Sequence, residues 1–305
     1  QKNMNKYNGL INIYKEPGYT SHDVVARLRG ITKQKRIGHT GTLDPDAEGV
    51  LCVCLGAATR ICDMLTDATK EYLAKMRLGV STDTQDMSGH IISERKVEVS
   101  DEAIYGCVMS FIGDIQQIPP MYSAIKHNGR KLYELAREGV EVERKPRRVK
   151  IYDIEIGDIS IPYVTMRVTC SKGTYIRTLC NDIGEALGCG GAMEHLIRTR
   201  VGDFDITGAS KLDYVEALMK EGRIGEILTP LTEVFGDLKS LKVNSSGSKK
   251  ASNGNILEKG DISLHNIESA DLEEVIITDD KGFFYGIYRF DAAGYIFRPV
   301  KMFLC

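Results

Sequence analysis

The chain has 305 residues, enough for one large domain or a large and a small one, and its 42% hydrophobic content is that of an ordinary globular protein. No apolar run approaches the roughly 18 residues of a membrane span, and no basic stretch followed by an apolar one reads as a signal peptide, so a cytoplasmic protein is expected. The formal net charge of −2 rules out a chain that is basic throughout and leaves any nucleic-acid contact to a local patch.

Leu10–Tyr14 reads as a strand. Thr20 and Ser21 can cap a helix that carries Val24, Val25, Leu28 and Ile31. The stretch Arg36–Leu51 fits neither period: it holds three glycines, a proline, a histidine and two aspartates, then runs into the apolar Gly49–Leu55, which reads as a buried strand. Ala57–Thr66 looks helical and Glu71–Leu78 extended. Ser100 caps a helix over Asp101–Ile112, and Gly139 closes another over Lys131–Glu138. Tyr163–Cys170 alternates, with Val164, Met166, Val168 and Cys170 on one face. Tyr175–Leu187 has helical spacing up to Gly188, and His195–Ile206 is extended. Strands and helices mix without a regular βαβ repeat, which points to α+β.

The polar, Gly/Ser-rich segment Asn244–Gly254 reads as a loop or linker. Beyond it, Glu274–Thr278, Phe283–Phe290 and Gly294–Phe297 are short strands separated by turns at Asp279–Gly282 and Asp291–Gly294. They predict a small all-β unit that starts near residue 240.

Eight cysteines are scattered, with no Cys-x-x-Cys pair and no histidine at zinc-finger spacing, so they read as reduced thiols and no metal is expected. Between Met121 and Lys150 there are nine Lys/Arg against four Asp/Glu, densest at Arg144–Arg148. Such a cluster is either a solvated face or a match for a phosphate backbone.

In the stretch around Asp44, Gly38, Gly41 and Gly49 permit close backbone approach, and Pro45 fixes the turn after Asp44. Such a loop holds one side chain at a defined angle. The plainer alternative is an Asp-Pro turn whose carboxylate only caps backbone. Asp46, two residues on, reads as a solvent-facing turn residue.

Gly38–Leu51 closely resembles the catalytic motif of the TruB family of tRNA pseudouridine synthases. Lys15–Val25, Lys70–Tyr72, Ser81–Gly89, Pro119–Lys126 with Gly129, Ala136–Gly139, Ser171–Thr178 and Leu196–Gly202 resemble the family's other segments, in the family's order over about residues 8 to 235. The resemblance implies an α+β pseudouridine-synthase core with a mixed, mainly antiparallel sheet over 8–238, a basic RNA-binding insertion at about 117–150, and a PUA-like β domain at 240–305. It implies isomerisation of the T-loop uridine (position 55) of tRNA to pseudouridine, with no metal and no organic cofactor, by a protein expected to be a monomer.

By the same resemblance Asp44 is the catalytic carboxylate and Arg177 its partner, which is expected to keep the acid ionised. Tyr72 lies against the uracil, Tyr175 and Leu196 wall the base pocket, and Lys15 buttresses it. His39 fills the gap left in the RNA stack when the target is flipped out. The usual Lys-Pro pair is interrupted here, with Glu16 between Lys15 and Pro17. Two other readings differ in class. A tRNA-folding chaperone would not need the carboxylate for its work, and a glycosidase would need two carboxylates facing each other across the bond.

Overall fold

The computed structural model describes residues 6–263 and 273–303. Its centre is a mixed sheet. In chain order its strands are β1 (Gly9–Lys15), β2 (Ile37–His39), β3 (Glu48–Leu55), β4 (Lys70–Leu78), β5 (Gly113–Gln117), β6 (Arg147–Ser160), β7 (Tyr163–Cys170), β8 (Gly191–Val201), β9 (Phe204–Asp205) and β10 (Leu228–Thr229). The spatial order is β10-β1-β3-β8-β4-β7-β6-β5, with β2 on β3 and β9 on β8. All these pairings are antiparallel except β3 with β8, which run parallel through Glu48–Ile197 and Gly49–Arg198. The mixed, mainly antiparallel sheet expected from the sequence is therefore present, and its one parallel junction lies at the centre.

Alternation explains why β3 is apolar throughout. Successive side chains of a strand point to opposite faces. Leu51, Val53 and Leu55 join Ile11 and Ile13 of β1 beneath the helices Ser21–Thr32 and Leu212–Lys220. Val50, Cys52 and Cys54 join Leu10 on the other face, against Ile276, Phe284, Ile287 and Phe303 of the C-terminal unit. A third cluster, on β4, β7 and the helix Ile176–Ala186, holds Tyr72, Val164, Met166, Val168, Leu179 and Leu196.

The C-terminal unit is a five-stranded sheet in the order Lys239–Lys242, Glu274–Thr278, Phe284–Asp291, Ile296–Met302, Leu257–Glu258. Asn244–Gly254 is not the expected linker. Asn244 caps a helix over Ser245–Ser252 by accepting from the Ser246 and Gly247 amides, both at 3.0 Å. Gly247 serves contact and not flexibility, since a Cβ there would lie 2.4 Å from the Asp261 carbonyl oxygen. The expected helix over Ala57–Thr66 is a 3₁₀ turn, Gly56–Ile61, followed by a short α-helix, Cys62–Thr66. Five of the seven described cysteines are buried, and Cys305 lies outside the described residues.

Candidate active site

Asp44 lies in the loop between β2 and β3, immediately before the parallel junction. The loop is pinned from several sides. Thr20 caps the helix Ser21–Thr32, and the buried Ser21 hydroxyl accepts from the Leu43 amide at 3.0 Å. From β1 the fully buried Lys15 ammonium donates to the carbonyls of Pro45 at 2.9 Å, Ala47 at 2.6 Å and Glu16 at 3.2 Å. Burial pulls the Lys15 pKa down to about 8, against the opposing pull of Asp44. Gly49 has φ +103°, and a Cβ there would lie 2.2 Å from the Arg198 carbonyl oxygen, so only glycine lets β3 lie this close to β8.

Arg177 stands in the first turn of the helix Ile176–Ala186, with Tyr175 at its N-cap. Its guanidinium holds both oxygens of Asp44, by a hydrogen bond from Nη2 to Oδ1 at 3.2 Å and an ion-pair contact of Nε with Oδ2 at 3.0 Å. The same group reaches Asp86 Oδ2 at 3.4 Å, the Thr84 carbonyl at 3.2 Å and the Tyr122 carbonyl at 2.9 Å. One buried arginine thus ties together the catalytic loop, the 83–89 turn and the insertion. Asp86 is itself held by Thr84 Oγ1 at 2.7 Å and the Ser88 amide at 3.1 Å.

The Arg177 side chain is 6% exposed, Asp86 13% and Asp44 38%, so Asp44 is the most exposed member of the trio. Burial among neighbouring groups pushes the Asp44 pKa above the ordinary carboxylate range. Arg177 opposes this most strongly, while Asp86 adds to it. Arg177 thus pulls toward the anion, as expected of it, against a larger opposing effect of desolvation. Asp46 is exposed, as a turn residue should be.

Tyr72 is buried on β4 in the cluster that holds Leu43, Ala47 and Leu196. Burial raises its pKa, with Arg198 opposing. Tyr175 is half-buried, and its backbone forms a two-way bond with the buried Gln117 side chain, at 3.0 and 3.2 Å. His39, on β2, is packed edge-on against His22 with ring centroids 5.6 Å apart. Burial lowers its pKa to about 4, with help from His22 and Arg198, so the ring is neutral near pH 7.

Two residues that sequence reasoning did not single out belong to this constellation. Asp86 shares Arg177 with Asp44. Arg198, 2% exposed, donates to the carbonyls of Val50 at 2.7 Å, Gly41 at 3.1 Å and Thr42 at 3.4 Å. Both lie inside recognised motifs. No pattern along the chain marks the second, since Glu194 and Arg200 alternate with it and only the register shifts of β8 bury Arg198 alone among them.

The fold is that of a pseudouridine synthase. The chain superposes on a Cbf5 complex with Nop10 and Gar1 with TM-score 0.69 at 30% identity, covering 97% of this chain and 85% of that one. An H/ACA ribonucleoprotein bound to a substrate RNA containing 2′-deoxyuridine gives TM-score 0.68 at 28% identity, with the same coverage. The TruB family pseudouridylate synthase N-terminal model matches residues 29–176, and the tRNA pseudouridylate synthase B C-terminal model matches 177–235. A tRNA pseudouridine synthase B of Lachnoclostridium phytofermentans is 47% identical over 97% of this chain and 100% of its own length. One from Clostridium kluyveri is 42% identical over 97% and 99%. The chain belongs to the TruB family of pseudouridylate synthases.

Proposed function

We propose that this protein isomerises the T-loop uridine of tRNA, position 55, to pseudouridine, with Asp44 as the carboxylate that acts on the ribose. The observation that carries the assignment is the pairing of Arg177 with both oxygens of Asp44, which leaves the acid the most exposed member of the trio. The guanidinium fixes the carboxylate's rotamer and favours its anion against the cost of burial.

The chemistry follows from this placement. With the target nucleotide flipped from the T loop, Asp44 meets the ribose and assists departure of the base. The N1–C1′ bond breaks and its electron pair leaves with the uracil. The base turns in the pocket and C5 bonds to C1′ as either the Asp44–C1′ bond breaks or the C2′ proton is returned; the proton on C5 is lost and N1 takes up a proton, so the reaction is an isomerisation. Asp44 acts either by attack on C1′ or by removal of the C2′ proton, and both need it ionised. Tyr72 and Leu196 pack beneath the base, and Tyr175 closes the side next to Arg177. The neutral His39 ring can stack in the vacated place in the RNA without a change of charge. The exposed cations of the insertion contact tRNA phosphates. Among the described residues no helix is long and apolar enough to cross a membrane.

The test is incubation with an unmodified tRNA transcript, followed by mapping of pseudouridine and by tritium release from C5-labelled uridine. Product at the T-loop position is expected, with Asp44→Asn reducing the rate by more than about 10⁴-fold while Asp46→Asn stays within about threefold. Activity that survived in Asp44→Asn but not in Asp46→Asn would reverse the assignment. Tritium-free binding and refolding of tRNA by wild type would favour the chaperone reading instead.

A further inference from the structure

Four lysines or arginines are buried among the described residues, namely Lys15, Lys70, Arg177 and Arg198, and three of them, Lys15, Arg177 and Arg198, are bonded to the segment 41–50 that carries Asp44. Of these, Arg177 has carboxylates within reach. Lys15, Lys70 and Arg198 are bonded instead to backbone carbonyls: Lys15 to those of the catalytic loop, Lys70 to Thr66 and Ala68, and Arg198 to Gly41, Thr42 and Val50. Removing an ion from water without a counter-charge costs several kcal/mol, which a neutral side chain of similar size would avoid. A charge kept there despite its cost calls for a use.

Arg198 has the most informative position. In β8 its neighbour on one side is Gly49, the second residue of β3. Its neighbour on the other side is Tyr72 of β4. Side chains directly opposite each other across a pair of strands share a face. The guanidinium therefore lies between the loop that carries Asp44 and the tyrosine assigned to the base. The Tyr72 hydroxyl feels Arg198 as a positive charge. No other side chain is bonded to the catalytic loop while also standing opposite Tyr72 in the sheet.

We propose that Arg198 is a positioning residue for the isomerisation, setting Tyr72 and the Asp44 loop in mutual register, and that its positive charge as well as its hydrogen bonds is used. The inference rests on the reading above. When the N1–C1′ bond breaks, negative charge passes from the carboxylate side toward the base. A fixed cation beside Tyr72 favours that displacement at no cost in reorganisation. A surface arginine would be screened by water and could not do this.

The test uses the full chain and an unmodified tRNA transcript, comparing wild type, Arg198→Gln, Arg198→Lys, Tyr72→Phe and the double variant Arg198→Gln/Tyr72→Phe. Tritium release gives kcat and KM, and thermal melting reports folding. Arg198→Gln is expected to lower kcat by about 100-fold with KM within about threefold, and Arg198→Lys to recover to within about tenfold of wild type. The double variant should be no more than about threefold slower than the slower single variant, because the two residues act as a unit. Should Arg198→Gln fail to fold, Arg198→Lys combined with Tyr72→Phe runs the same cycle. Strictly multiplicative losses, a lysine variant as slow as the glutamine one, or a change confined to KM or melting temperature would each overturn the proposal. A wild type that made no pseudouridine would sink the functional reading and this one with it, whereas the three outcomes just named overturn this proposal alone.

Discussion

Arg177, Arg198, Lys15 and Lys70 beneath the catalytic loop are buried, whereas Lys126, Arg130, Lys145 and Arg147 of the insertion are exposed. In the first group Arg177, Arg198 and Lys15 are held by groups far away in the chain, and Lys70 by the nearby carbonyls of Thr66 and Ala68. The second rises from a segment whose own core is small: Met121, Leu132 and Leu135, with Tyr122, Ile125, Ala136 and Val142 around them. Identical side-chain types thus work in opposite dielectric settings. A buried cation acts at short range, hardly feels salt and shapes the reacting groups. An exposed one is screened over about 8–10 Å, and its contribution is to attract a polyanion. The floor should therefore govern kcat and the insertion KM.

The largest effect expected within this comparison is at Arg177. Replacing it with Met leaves Asp44 half-enclosed without its partner and also cuts the links to Asp86, Thr84 and Tyr122. A loss of about 10²–10³-fold in kcat is expected, with Lys recovering little because it cannot offer two parallel donors. Near-normal turnover with Arg177→Met would show that the guanidinium is structural and would erase the division between floor and insertion.

Asp86→Asn should cost less, about 5–20-fold in kcat, because the amide can still accept from Arg177. Its sharper signature lies in pH. Burial raises the Asp44 pKa and Asp86 adds to that rise, while catalysis needs the anion. Wild-type activity should accordingly fall on the acid side at a pH above the roughly 3.9 of a free aspartate. Removing the Asp86 charge takes away one raising influence, so the acid limb should move to lower pH. A limb that moved upward, or stayed put while kcat fell, would show that Asp86 does not act on Asp44 through charge.

The two regions also differ in how far they could be read from the chain. Where a residue's role is local, sequence pattern was enough. Thr20 caps its helix, Glu274–Thr278 is a strand at the expected residues, and the helix expected over Tyr175–Leu187 runs from Ile176 to Ala186. Strand β6 escaped notice because register breaks at Ile151/Asp153 and Ile156/Ile159 spoil its alternation, and its start coincides with the basic cluster. The helix Ser245–Ser252 was hidden by serines and a glycine that propensity assigns to loops, although packing against Asp261 requires the glycine. Asp44 could be found because its loop is unusual along the chain. The parts of Asp86 and Arg198 could not, since they depend on partners 91 and 157 residues away, which only the folded sheet brings close.

The smallest expected effect tests the other side of the comparison. Lys126 and Lys145 are exposed and have no carboxylate within ion-pair distance among the described residues, unlike Arg130 with Glu138 or Arg148 with Asp114. Each can therefore meet a phosphate without first giving up a protein partner. Changing both to Gln should leave kcat within about twofold while weakening tRNA binding by roughly 3–10-fold near physiological salt. The slope of log Kd against log salt should also become shallower by about 1–2, since each lost phosphate contact removes one release of about 0.7–0.9 counterion. Binding by wild type that ignored salt, or a double variant with an unchanged slope and a lowered kcat, would mean that these exposed charges serve the chemistry and not the grip on RNA. The distinction between buried and exposed cations would then have no functional content.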